Sequence, residues 1–168
     1  MRKLEILKYP DGRLKMPSRE VNDFGRTFLE FLDDLVFTMR SSPACVGIAA
    51  PQVNVHKRII VVDTSSSKHK ENKFSHGLLI LVNPRIVQSD GQIVVREGCL
   101  SVPDYTGNVK RYYWIKVEAY DAKGNFLEFD TEGFEAVVIQ HEIDHLDGKV
   151  FLERLVSPKE LFRRKVHK

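Results

Sequence analysis

The chain has little cysteine: only Cys45 and Cys99 among 168 residues, and far apart. So few thiols cannot staple a small secreted fold, and each must be read as packing, a metal ligand or a nucleophile. No apolar run approaches the roughly 18–20 residues of a membrane-spanning helix, so neither a spanning segment nor a membrane partner is expected. The opening Met1–Pro10 has no long apolar stretch and no small-residue cleavage site. It also lacks the Ser/Arg-rich, acid-free character of a transit peptide, and the expected location is the cytoplasm. Charge of one sign is scarce too: 26 Lys+Arg against 23 Asp+Glu leaves +3. That is too mild for nucleic-acid binding by the whole surface, so no DNA partner is expected. What is present, 42% hydrophobic and 29% charged residues, is the balance of an ordinary globular protein. A chain this long buries about two-thirds of its unfolded surface, and 1–168 reads as one catalytic domain.

Periodicity supplies the elements. Phe24, Phe28, Phe31, Leu32, Leu35, Val36 and Met39 recur at three- and four-residue spacing, with Glu30, Asp33, Asp34 and Arg40 between them. This predicts an amphipathic N-terminal helix from about Asn22, capped by Asn22 or Asp23 and ended by Ser41-Ser42-Pro43. Strands are expected over Arg58–Asp63, Leu78–Asn83, Ile86–Gln88, Gln92–Glu97, Tyr113–Tyr120 and Phe126–Phe129. The polar, patternless segment Ser65–His76 reads as an exposed loop, and His56, His69, His76 and His167 read as solvated. A second helix is expected from about Glu132 to Leu146, with Gly148 as its left-handed cap, and the remaining twenty residues are expected to hold Pro158 and a short helical stretch. Helix, strands, then helix argues for an α+β fold with mostly antiparallel sheets rather than alternating βαβ units.

His141-Glu142-Ile143-Asp144-His145 is where chemistry enters. Residues four apart on a helix lie one turn above each other, so both imidazoles can grip one metal ion while Glu142 stands beside it as a base. A catalytic site normally has a third protein ligand. Position 151, where a metzincin-type histidine would fall, is Phe, which leaves Glu153, Glu160 and Cys99 as candidates. Cys99 sits just after a strand, in a loop bracketed by Gly98 and Pro103. Phe134, Val137 and Val138 precede His141 by seven, four and three residues and share its face, as core packing or as an apolar wall beside a metal.

Three blocks taken together, Val46-Gly-Ile-Ala-Ala-Pro-Gln52, Glu97-Gly-Cys-Leu-Ser-Val-Pro103 and Gln140-His-Glu-Ile-Asp-His-Leu-Asp147, resemble the three signature motifs of the peptide deformylase family, in order. One position departs: Cys45 stands where the family usually has glycine, which puts the local pocket shape in question.

The resemblance implies that Cys99, His141 and His145 bind one divalent metal. Fe(II) is expected from the family, with zinc, nickel or cobalt able to substitute. It implies attack of a metal-bound water or hydroxide on the formyl carbon, with Glu142 as general acid/base. The Gln52 side chain and the Leu100 N–H would address the oxyanion. The substrate would be the N-formyl-methionyl end of nascent polypeptides. Val46, Gly47 and Gly98 would flank its main chain, and Phe134, Val137 and Val138 would receive the methionine side chain. The basic stretch Arg163–Lys168 reads as a solvated tail or as a ribosome contact. A peptidase built on the same helix motif and a non-catalytic metal- or peptide-binding module are the other readings. The place of the third ligand argues against the first, and retention of Glu142 and Gln52 against the second.

Overall fold

Residues 1–164 are described by the structure, a computed structural model. In chain order its elements are α1 (Arg26–Arg40), β1 (Gly47–Ala49), β2 (Ile59–Val62), β3 (Leu79–Asp90), β4 (Ile93–Cys99), β5 (Val102–Arg111), β6 (Trp114–Tyr120), β7 (Phe126–Glu132), α2 (Gly133–Leu146) and β8 (Leu161–Arg163). Short 3₁₀ turns lie at Gly12–Lys15, Ala50–Val53, Phe151–Arg154 and Pro158–Glu160. Strands β1-β2-β3-β6-β7 form one sheet and β4-β5-β8 another, and every neighbouring pair is antiparallel. The fold is α+β with antiparallel sheets.

Alternation along β2 explains how the layers assemble. All four of its residues are buried, because successive side chains point to opposite, covered faces. Ile60 and Val62 join Leu81, Ile115 and Val117 in a core with Ala136, Ile139, Ile143 and Leu146 of α2. Ile59 and Val61 join Val82 in a second core with Phe28, Leu32, Leu35 and Met39 of α1. A third core lies under the small sheet, where Val95, Val102 and Val109 meet Val137 and Phe151. Helix α2 is therefore enclosed between two sheets, and from Glu135 to Leu146 every residue is buried. A helix covered all round can carry polar residues only where partners are provided.

Several boundaries differ from the sequence reading. Helix α1 begins at Arg26 rather than Asn22, because the Asp23 carboxylate accepts the Gly25 N–H at 2.8 Å and holds the preceding chain in a turn. Leu78–Asn83 and Ile86–Gln88 are one strand, β3, whose pairing with β6 shifts register between Val82 and Arg85 and again between Ile86 and Gln88. Strands β1, β5 and β8 were not expected. Pro103 and Gly107 within β5 are poor strand formers, and β1 and β8 have three residues each. Helix α2 and the left-handed Gly148 (φ +75°) lie where expected, apart from one residue at the helix start.

The first nineteen residues run as a strap across all three motif blocks. Leu7 N–H donates to Gln52 O at 2.7 Å, Tyr9 N–H to Ser101 O at 2.7 Å and Ser18 N–H to Leu146 O at 2.8 Å. Gly148 serves this docking, since a Cβ there would collide with the Lys15 carbonyl.

Leu35 is fully buried against β1 and β2 and distant from the polar residues of α2. Leu35→Ala is expected to cost about 2–5 kcal/mol. Urea unfolding followed by circular dichroism checks this, with a lower midpoint at unchanged slope as the expected result.

Candidate metal centre

The period-two alternation of β4 builds half of the site. Val95, Glu97 and Cys99 point inward and are buried, while Arg96 and Gly98 point outward. The other half comes from α2, where His141 and His145 lie one turn apart with ring centroids separated by 5.1 Å. Cys99 Sγ and one ring nitrogen from each histidine all lie within 4.8 Å of one another. His145 Nε2 is 3.4 Å from Cys99 Sγ. Neither Glu153 nor Glu160, the alternative third ligands, joins this cluster.

The surroundings fix these side chains. His141 Nδ1 lies 2.7 Å from Glu97 Oε1, which leaves Nε2 turned to the cluster. Glu97 is gripped by Arg111 through two bonds of 2.8 Å. Arg111 also reaches Asp144 at 2.6 Å, and Arg154 holds the same carboxylate at 3.0 and 3.1 Å. Burial pushes the Glu97 carboxyl up, but the Arg111 guanidinium and His141 outweigh it and bring it down to about 2. This carboxylate is charged at any physiological pH.

Glu142 is placed differently. It is buried beside the cluster, and among the described residues its Oε1 has no hydrogen-bond partner. Burial pushes its carboxyl up to about 7, with His141 and Arg111 opposing and Glu97 reinforcing the shift. The main chain of β1 passes directly over it: a Cβ on Gly47 would sit 2.7 Å from Glu142 Oε2 and 2.9 Å from Val138 Cγ1. Glycine at 47 is thus required by close approach.

A cavity of about 300 Å³ opens onto this group. It is lined by Cys99, Leu100, Gln52, His141 and Glu142, and by Val46, Gly47, Gly98, Phe134, Val137 and Val138. Of the site residues read from the sequence, only His145 is not in its lining. That side chain is 1% exposed, and its Nδ1 has no partner among the described residues. Gln52 accepts the Ala49 N–H at 2.9 Å and donates to Ser101 Oγ at 3.1 Å, and the same amide nitrogen reaches Cys99 Sγ at 3.5 Å. Leu100 occupies the β4–β5 turn, where its carbonyl accepts from Lys8 Nζ at 3.1 Å.

Cys45 stands apart from the metal-type cluster. Its Sγ donates to Gly47 O at 3.3 Å, and burial, then the nearby Glu142 charge, pushes its thiol up to about 12. Cys45 is not among the side chains that meet in the cluster, and it lines the cavity wall instead.

Of the histidines read as solvated, His69 is half-buried, and His76, although exposed, is held by a specific contact. His69 lines the cavity and stacks on Phe134 with centroids 4.4 Å apart. His76 bonds the wholly buried Glu135 carboxylate through both its backbone N–H, at 2.7 Å, and its ring, at 2.5 Å. The polar loop is further pinned by the Phe134 N–H donating to Glu71 O. Left-handed Gly133 (φ +66°) permits this approach, since a Cβ would come within 2.6 Å of that oxygen. Nothing in the patternless sequence of the loop signals either contact. His56 is partly buried with Nε2 3.3 Å from Asn54 Oδ1, and His167 lies outside the described residues. Arg96 and Arg164 complete the cavity mouth and were also not foreseen.

The donor set fits one divalent ion: one sulfur and two imidazole nitrogens lie within 4.8 Å of one another, beside the unpartnered Glu142 Oε1. An acid set between two such histidines on a buried helix, under an open cavity, defines a metal-dependent hydrolase. Comparisons with known proteins narrow the class. The family model described as polypeptide deformylase matches residues 3–161. The chain is 42% identical to peptide deformylase 3 of Shewanella oneidensis over 94% of its own length and 91% of that protein's. It is 40% identical to the peptide deformylase of Thermodesulfovibrio yellowstonii, covering 96% and 95%. Its structure superposes on the Ehrlichia chaffeensis enzyme solved with actinonin at a TM-score of 0.86, with 36% identity and coverage of 95% and 92%. The chain belongs to the peptide deformylase family, enzymes that remove the N-formyl group from nascent peptides.

Removing one side of the Glu97–Arg111 pair leaves a buried, uncompensated carboxylate. Arg111→Met is expected to destabilise the protein by about 3–5 kcal/mol. Thermal melting of metal-loaded and metal-stripped samples checks this, with the larger loss of metal affinity expected in the variant because His141 is no longer oriented.

Proposed function

We propose that Cys99, His141 and His145 hold one divalent ion, Fe(II) by expectation from the family, with zinc, nickel or cobalt as substitutes. Hydrolysis of the formyl group of N-terminal formyl-methionine would take place beside it. Bound there, the ion supplies Lewis acidity and lowers the pKa of a water towards about 7. Glu142 removes the proton from the attacking water as its oxygen bonds the formyl carbon. It then delivers a proton to the departing amine as the carbon–nitrogen bond breaks, releasing formate and a free methionyl terminus. The observation that carries this reading is the Glu142 carboxyl: buried, unpartnered at Oε1 among the described residues and at the edge of a Cys/His/His cluster. A carboxyl so placed is free to take and return a proton.

Gln52 Nε2 and the Leu100 N–H donate to the formyl oxygen as it gains charge. The short bonds from Gln52 to Ala49 and Ser101 support a preorganised role. Val46, Gly47 and Gly98 flank the peptide main chain, and Phe134, Val137 and Val138 receive the unbranched methionine side chain. The reaction belongs to the cytoplasm, where formylated chains emerge. A ribosome contact would run through the basic stretch Arg163–Lys168, of which Arg163 ends β8, Arg164 lines the cavity and 165–168 lie outside the described residues.

Protein purified without oxygen is expected to release formate from formyl-Met-Ala-Ser in proportion to bound metal. Chelation should abolish the activity and anaerobic Fe(II) restore it. Glu142→Ala should remove turnover while retaining metal, and Gln52→Leu should lower kcat by about 10²–10³. Metal-loaded protein without formate release, or full turnover in Glu142→Ala, would overturn the reading.

A further inference from the structure

The cavity mouth carries two guanidinium groups that the chemistry above does not use. Arg96 alternates outward on β4, one step from the buried Glu97, and lies over the Phe162 ring at 4.0 Å from its centroid. Arg164 follows β8, whose backbone is tied to β5 by Arg164 N–H donating to Asp104 O at 2.7 Å. Its guanidinium rests directly on Gly98, where any Cβ would collide with Nη2. Both side chains line the cavity that contains Cys99, His141 and Glu142. Among the described residues neither makes an ion pair or a side-chain hydrogen bond, although Arg13, Arg40, Arg58, Arg85, Arg111 and Arg154 all do.

We propose that Arg96 and Arg164 form a carboxylate-reading subsite at the mouth of the groove, selecting formyl-methionyl peptides with an acidic side chain within the first three residues after the methionine. The inference rests on the deformylase reading for the position of the methionine.

Three physical points carry it. Guanidinium groups present planar, paired donors that match a carboxylate, and among the described residues these two have no competing acid paired to them. The stacking of Arg96 on Phe162 fixes one of the two in advance, which reduces the ordering cost of binding. An extended peptide advances roughly 3.3 Å per residue. A chain leaving the apolar wall beside Glu142 therefore passes Gly98, and hence Arg164, within its next few residues. The alternation of β4 sets this placement, turning Glu97 inward to His141 and Arg96 outward to the peptide.

The test compares formyl-Met-Ala-Ala-Ala-amide with three relatives in which aspartate replaces each alanine in turn. At low salt the best aspartate peptide is expected to exceed the neutral one by about three- to tenfold in kcat/KM, mainly through KM, with the ratio shrinking at 0.5 M salt. Arg164→Gln and Arg96→Gln should each pull that ratio towards one, and Arg164→Glu should favour a lysine peptide instead. A ratio is independent of the folded fraction, so partial misfolding of a variant does not disguise the result. Binding of the corresponding unformylated peptides, measured by calorimetry, carries the same comparison without turnover. Failure of the deformylase reading is then distinguishable from failure of this one. Equal kinetics and binding for aspartate and neutral peptides, or an aspartate preference unchanged in both glutamine variants, would overturn the subsite. Loss of RNA binding alone in those variants would overturn it too, reassigning the arginines to phosphate.

Discussion

The site depends on one buried cation. Arg111 joins Glu97 on β4 to Asp144 on α2 and is itself part of β5. Charges this deeply buried are tolerated only when fully paired, and Arg111 is paired on both sides. The consequence is positional: the strand that carries Cys99 and the helix that carries both histidines cannot slide against each other without uncovering a charge. Glu97 converts that fixed geometry into a fixed tautomer for His141. The two carboxyls nearest the cluster then diverge. Glu97 faces a guanidinium and stays ionised near 2, whereas Glu142 lacks such a partner and rises to about 7. Neighbouring acids thus take different tasks from their environments alone.

Around that pair the layers have a clear division of labour. The five-stranded sheet supplies the apolar bed for α2, through Ile60, Val62, Ile115 and Val117. The three-stranded sheet covers the opposite side and delivers Cys99. Strand β1 then crosses the open end, with glycine at 47 so that backbone can lie on Glu142. Each of the three sequence blocks thus occupies a different wall of one cavity, which is why they need not be close in the chain.

Much of this was legible in the residues. The 3.6-residue period of Phe28, Leu32, Leu35 and Met39, the alternation from Trp114 to Tyr120, and the glycine after α2 each encode a local preference that tertiary packing reinforces. The cluster was legible as well, because helical spacing places His141 and His145 together and the motif resemblance points to Cys99. What escaped was set by packing at a distance. Strand β5 contains Pro103 and Gly107, and takes its form from pairing with β4 and β8. His69 and His76 sit in a loop with no periodic signal, yet Glu135 and Phe134 capture them. The start of α1 moved because a single Asp23 side-chain bond competes with the helix.

The strap formed by the first nineteen residues has a consequence for the order of assembly. Its donors reach Gln52, Ser101 and Leu146, the last of which lies far along the chain from its donor, Ser18. The strap has no complete surface to lie on until α2 is in place. Contacts of such sequence separation form late and slow folding. The strap therefore closes around the site only after both sheets and α2 have come together, which makes the site's outer wall the last part of it to be secured.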